Sequence, residues 1–395
     1  MRIVGRRVTQ DRKSARVALG MLRYCLPMPK PKLDEVVAAN REPVVSRVKA
    51  IVTLLGLCAA SFVTGCEGDK KTTVATASTS TAAYAADATL PPPPSPTTAE
   101  IIPKTIAAAV DAWNAHDPAK VAASYQTTAT LTLPGQPDIE GRDAISAQAK
   151  DNFIACPNFK VAVTKTFIHE NTAAFEWVVT GTNDGSVMGQ KPSGRQMGVS
   201  GASIVTVDGD GLIKEERRYV DLPTIMSQLD PKAKTGTFRA PLALPTAPTE
   251  TRVATETPDD VKTIDAAKMI YAAFDSKSET SLLAVVTDNT IIDDRTRSTI
   301  FTGTKGATDD ANGLWKTFPD FRLTHAVQFA DGDVVITEGV LNGTQSGPMG
   351  PIKATNKPVT FHFVDVLQIK DGKIARVDSF GDNAEILQAI GPLPK

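Results

Sequence analysis

Histidine and cysteine are scarce, with four of each in 395 residues, and no C-x-x-C pair, H-E-x-x-H, G-x-S-x-G or glycine-rich phosphate loop occurs. These absences exclude the common Cys/His metal sites, zinc proteases, serine-hydrolase elbows and P-loop chemistry, so neither a metal nor a cofactor is expected. Cys25, Cys58, Cys66 and Cys156 are too few to form a disulfide framework in a chain this long. Nor is there an excess of positive charge: 43 Lys/Arg face 44 Asp/Glu, a formal net charge of -1, which argues against a nucleic-acid partner.

That neutrality is a cancellation. Residues 1–49 carry 12 Lys/Arg against 4 Asp/Glu, Ala50 to Gly65 carries no charge, and residues 66–395 hold 31 Lys/Arg against 40 Asp/Glu. Arg47 and Lys49 precede the apolar run AIVTLLGLCAASFV and then Thr64-Gly65-Cys66, the order of an export signal. The run falls short of the ~20 residues that cross a bilayer core, so a retained span is disfavoured. Its end, Val63-Thr64-Gly65-Cys66, resembles the bacterial lipobox, which implies cleavage before Cys66, acylation of its thiol and a lipid anchor in the bacterial cell envelope. Residues 1–65 are thus read as leader and signal peptide. The part before the signal is either a start site placed too far upstream or an unusually long basic region.

Residues 66–99 are rich in Thr, Ala and Pro, a composition that cannot bury a core and reads as a disordered tether. A second Pro/Thr-rich stretch, 231–257, separates two segments, 100–230 and 258–395, that repeat each other. A shift of 162 residues superposes Gly141 on Gly303, Pro157-x-Phe159 on Pro319-x-Phe321, Glu176 on Glu338, Gly181-Thr182 on Gly343-Thr344 and Gly185 on Gly347. After a one-residue slip, Asp210-Gly211 meets Asp371-Gly372 and Asp221 meets Asp382. Each copy opens with apolar residues at helical spacing (Ile102, Ile106, Val110, Trp113; Ile264, Ala267, Tyr271, Phe274) and continues with strands joined at Asp-Gly turns. Helices first and a meander after give an α+β class rather than alternating βαβ units.

The stretches GTNDGSVMGQKPSGRQMGVSG and DGDGLIKEERRYVDLPTIMSQL, echoed by GTQSG and KDGKIARVDSFGD, resemble the SnoaL-like polyketide cyclases of the nuclear-transport-factor-2-like superfamily. The resemblance implies two tandem cone-shaped domains, each a curved antiparallel sheet wrapped by helices around an apolar pocket. It also implies acid–base chemistry on enolisable carbonyls through a pocket carboxylate. By that resemblance Asp221 and its counterpart Asp382 lie where the cyclases keep a catalytic acid; their other reading is helix capping, with Pro223 at a helix start. The second copy also resembles ketosteroid isomerase, which places Asp293 as base and Asp365 as oxyanion-binding acid, with the isomerase tyrosine mapping near Ile270 and Tyr271 one position away. Trp113, Tyr125, Trp177, Tyr271 and Phe274 are candidate pocket walls, or else core.

Three readings stay open: a non-catalytic module that binds a small apolar molecule or mediates interaction, by pairing of its domains or as a homodimer; an isomerase- or cyclase-type enzyme; and a structural surface protein.

Overall fold

Each copy begins where a threonine can cap a helix. Glu100 reaches back to the Thr97 amide at 3.0 Å, and Asp260 does the same for Thr257 at 2.7 Å, so both opening helices start on a capping box. The computed structural model describes residues 97–187, 191–233 and 238–391, all within one compact unit. The leader, Cys66 and most of the first tether lie outside the described residues.

The first copy runs α1 (Thr98–Asn114), α2 (Pro118–Ala123), β1 (Tyr125–Thr132), β2 (Ile139–Glu140), α3 (Gly141–Ala155), β3 (Lys160–His169), β4 (Thr172–Thr182), β5 (Gln196–Val207), β6 (Ile213–Tyr219) and α4 (Leu222–Leu229). The connector contributes β7 (Glu250–Val253). The second copy repeats the order as α5 (Pro258–Asp275), α6 (Glu279–Leu283), β8 (Ile291–Asp294), β9 (Phe301–Thr302), α7 (Gly303–Thr317), β10 (Arg322–Asp331), β11 (Val334–Thr344), β12 (Pro358–Lys370), β13 (Lys373–Gly381) and α8 (Asn383–Ile390).

Apart from β7, which has no counterpart, the sheets duplicate each other strand for strand. The first has the order β2-β1-β6-β5-β4-β3-β7 and the second β10-β11-β12-β13-β8-β9. Neither is wholly antiparallel as expected, because β1 runs parallel to β6 and β8 parallel to β13. The chain leaves β1, crosses through a helix and a three-strand meander, and returns alongside β1 in the same direction. A close approach of backbone to backbone explains one repeated glycine pair: at Gly185 and at Gly347 a Cβ would overlap the carbonyl of Ile154 or of Lys316 at the end of the preceding helix.

The two sheets pack face to face. Phe167, Ala202, Ile204 and Tyr219 of the first copy share one buried cluster with Phe329, Ile336, Val364 and Phe380 of the second. The repeat-related Glu176 and Glu338 are buried within this layer, and each is paired: Arg217 grips Glu338 with Nε at 2.5 Å and Nη2 at 2.9 Å, while Lys165 reaches Glu176 at 3.3 Å. The connector between the copies is laid along the first copy. Leu242 donates its amide to the Gly198 carbonyl at 2.9 Å, and β7 extends the first sheet beside β3. From β7, Arg252 crosses to Asp331 of the second copy at 2.7 Å.

Candidate functional site

The two cone interiors differ, and the strand register shows why. Ser203 pairs across the first sheet with Arg218, as Asp365 pairs with Ser379 in the second; likewise Leu131 lies beside Glu216 as Ile292 lies beside Val377. In the first copy two of these inward positions, Glu216 and Arg218, hold large charged groups. Tyr125 donates its hydroxyl to Glu216, Ser203 donates to Glu216 at 2.9 Å, and Arg218 grips the same carboxylate at 2.9 and 3.1 Å. The Arg218 guanidinium also lies 5.4 Å from the Trp113 ring centroid, and the Trp177 indole donates to Ser203 at 3.1 Å. Burial alone would raise the Glu216 carboxyl, but Arg218 and the hydroxyls hold it below its ordinary value. Trp113, Tyr125 and Trp177 therefore do not line an open pocket; they plug the first cone with a paired, buried polar cluster.

The second copy has Val377 and Ser379 where the first has Glu216 and Arg218, and a cavity of about 1090 Å³ opens there. Tyr271, Phe274, Asp294, Asp310, Asp365 and Ser379 are among its lining residues, most of which are apolar. Two aromatic positions are exchanged between the copies. Trp177 faces Gly201 across β4 and β5, whereas Gly339 faces Phe363 across β11 and β12, so each ring lies over the glycine opposite.

Asp365 is buried in the cavity wall. Tyr271 donates to its Oδ2 at 2.8 Å, and Oδ1 is buried without a hydrogen-bond partner. Burial pushes this carboxyl up to about 6, against the neighbouring Ser379 and Tyr271 hydroxyls that pull it down, with the charges of Asp294 and Asp310 pushing the same way as burial. Tyr271 is itself driven well above its ordinary value by burial and by Asp365, so its hydroxyl stays a proton donor. Beside them Arg297 bridges two carboxylates, with Nε at 2.9 Å from Asp294 and Nη1 on Asp310. Burial raises Asp310 in spite of Arg297.

The other residues singled out from sequence lie elsewhere. Asp293 is not in the cavity: it sits on the opposite face of β8, in the grip of Arg239, Arg295 at 3.0 Å and Arg376 at 3.1 Å. Strand side chains alternate, so a one-residue displacement exchanges faces, and the cavity carboxylate of β8 is Asp294. Tyr271, one position off the aligned tyrosine site, nevertheless reaches Asp365. Asp221 and Asp382 are helix caps, Asp221 accepting from the Thr224 amide at 3.0 Å and Asp382 from the Ala384 amide at 2.9 Å. Sequence reasoning missed Asp294, Arg297 and Asp310. A comparison of side-chain sizes at repeat-equivalent positions carries the signal for the cavity itself. Cys156 is buried, and burial pushes its thiol up to about 11, which makes it a poor nucleophile. Among the described residues no group of His, Cys, Asp and Glu is arranged to hold a metal ion, and no helix is long and apolar enough to cross a membrane.

A duplicated α+β cone with one plugged and one open interior defines the class, and the family follows from the sequence match. The family model for SnoaL-like polyketide cyclases matches twice, at residues 104–229 and 264–390, and the chain belongs to that family. Among solved structures, a SnoaL-like protein of Jannaschia sp. CCS1 is 17% identical, covering 35% of this chain and 99% of its own, with a TM-score of 0.33. A protein with a ketosteroid isomerase-like fold from Catenulispora acidiphila is 20% identical over 32% of this chain and 92% of its own (TM-score 0.29). An LEH-like epoxide hydrolase of M. tuberculosis is 17% identical over 34% and 92% (TM-score 0.28). Comparison with curated proteins finds no match.

Proposed function

We propose that the second copy binds a small apolar molecule carrying a carbonyl group, while the first copy serves as a scaffold. The observation that supports this is the second-copy cavity, whose size suits a small-molecule site and whose polar pole is Asp365 with an unpartnered Oδ1. A buried polar atom without a partner is costly, and a ligand carbonyl would supply one. With its proton retained, Asp365 donates from Oδ1 to that carbonyl while Tyr271 donates to Oδ2. The test is the affinity for 2-nonanone as a function of pH. Binding is expected to be tightest below about pH 6 and to weaken above it as Asp365 ionises; Asp365→Asn removes the pH dependence and Asp365→Ala weakens binding at every pH. Ketone binding that is unaffected by either substitution sinks the reading.

Asp294 favours a second reading, acid–base catalysis, because it places a carboxylate on the same cavity as Asp365. In that reaction the ketone Cα–H bond breaks with its proton passing to Asp294, and the carbonyl oxygen accepts the proton of Asp365 to give the enol. Exchange of ketone α-hydrogens in deuterated water, followed by NMR, distinguishes a catalyst from a binder. The Val63-Thr64-Gly65-Cys66 sequence supports placing both domains at a bacterial envelope membrane through a lipidated Cys66.

A further inference from the structure

The cavity of the second copy is not built from the second copy alone. Leu222, Pro223, Met226 and Ser227, all on α4 of the first copy, line it, as does Phe238 of the connector. Helical spacing divides α4 between two tasks. Ile225 and Leu229, four apart, pack into the core of the first copy. Leu222 and Met226, also four apart on a neighbouring face, border the other copy's cavity. The Leu222 amide, at the start of α4, donates to Asp382 at 3.1 Å, which fixes α4 against the junction between β13 and α8. Ser379, the cross-strand partner of Asp365, lies three residues before Asp382, about 10 Å along an extended chain.

We propose that α4 of the first copy is the specificity wall of the second copy's pocket, and that its Leu222/Met226 face sets the length of the apolar molecule admitted. This rests on the reading of the cavity as a ketone-binding pocket. The ligand class it defines is an elongated apolar molecule, about 10 Å or more, with its hydrogen-bonding group at Asp365 and its far end against α4. Such a wall depends on the tandem arrangement, since the first copy provides residues to a site whose polar pole belongs to the second.

The experiment measures the affinity of the full-length protein for straight-chain methyl ketones from 2-hexanone to 2-pentadecanone. In the wild type, affinity rises about fourfold per methylene while the chain is being buried and then levels off. Met226→Trp is expected to bring that plateau to shorter chains, weakening the long ketones tenfold or more and leaving 2-hexanone unchanged. Met226→Ala, which guards against misfolding of the tryptophan variant, moves the plateau to longer chains. Equal weakening of short and long ketones by both variants, or an unmoved plateau, overturns the wall while leaving the pocket standing. If no methyl ketone binds the wild type, the pocket reading fails together with it.

Discussion

Asp221 and Asp382 each cap the helix of the other's copy as well as their own. Asp382 accepts the Leu222 amide at 3.1 Å, and Asp221 accepts the Asn383 amide at 2.9 Å, so the two closing helices begin on exchanged carboxylates. Burial pushes Asp221 up to about 7, and burial together with the charge of Asp221 pushes Asp382 up to about 8. A carboxyl whose folded-state pKa is raised stabilises the fold fully below its unfolded value of 3.8 and loses that contribution as pH rises through the folded value. Stability is therefore expected to fall between about pH 4 and pH 8. Asp382→Asn keeps the accepting oxygen and removes the charge. Its melting temperature should exceed that of the wild type at pH 8, with the difference shrinking to nothing as pH falls to about 4; a variant that melts lower at both would refute the assignment.

The plug of the first copy is a salt-bridged cluster rather than an apolar one. Arg218→Ser, which copies the residue at the equivalent place in the second copy, leaves Glu216 buried with hydroxyl partners only. The expected loss is about 3–5 kcal/mol, read from urea denaturation. A change below about 1 kcal/mol would mean that water already reaches Glu216.

The exchanged ring and glycine can be tested as a pair. Gly339→Trp drives an indole into Phe363, whereas Gly339→Trp with Phe363→Gly recreates the arrangement of Trp177 over Gly201. The double variant should recover about 1 kcal/mol or more relative to the sum of the single ones, since the two positions share one volume. Additive losses would show that the space is not shared.

Asp293 and Asp365 should separate stability from binding. Asp293→Asn leaves Arg239, Arg295 and Arg376 crowded without their shared anion, so the expected result is a lowered melting temperature with unchanged ketone affinity. Asp365→Ala should do the reverse.

Anchoring is tested by fractionation of cells that produce the protein. The Cys66→Ala variant is expected to leave the membrane fraction, and unchanged partitioning would refute lipidation at that residue.

The internal repeat makes the architecture legible in the amino-acid sequence. Positions such as Glu176 and Glu338, or Gly185 and Gly347, keep their register over the whole copy because they serve the same sheet layer and the same helix end. The site is less legible for two physical reasons. Strand alternation makes a single-residue offset decisive, which separates Asp293 from Asp294. The openness of a cavity depends on several inward positions at once, Glu216 against Val377 and Arg218 against Ser379, and no motif spans strands that meet only in the fold.

Fusing the copies into one polypeptide has a further result. Two identical chains joined face to face would carry either two plugs or two cavities, since one gene would write both interiors. Here Arg218 and Ser379 occupy matching places but are inherited separately. One half is thus free to be optimised for rigidity while the other is shaped by whatever enters it, and among the described residues the assembly has one large open chamber, lined in part by its neighbour.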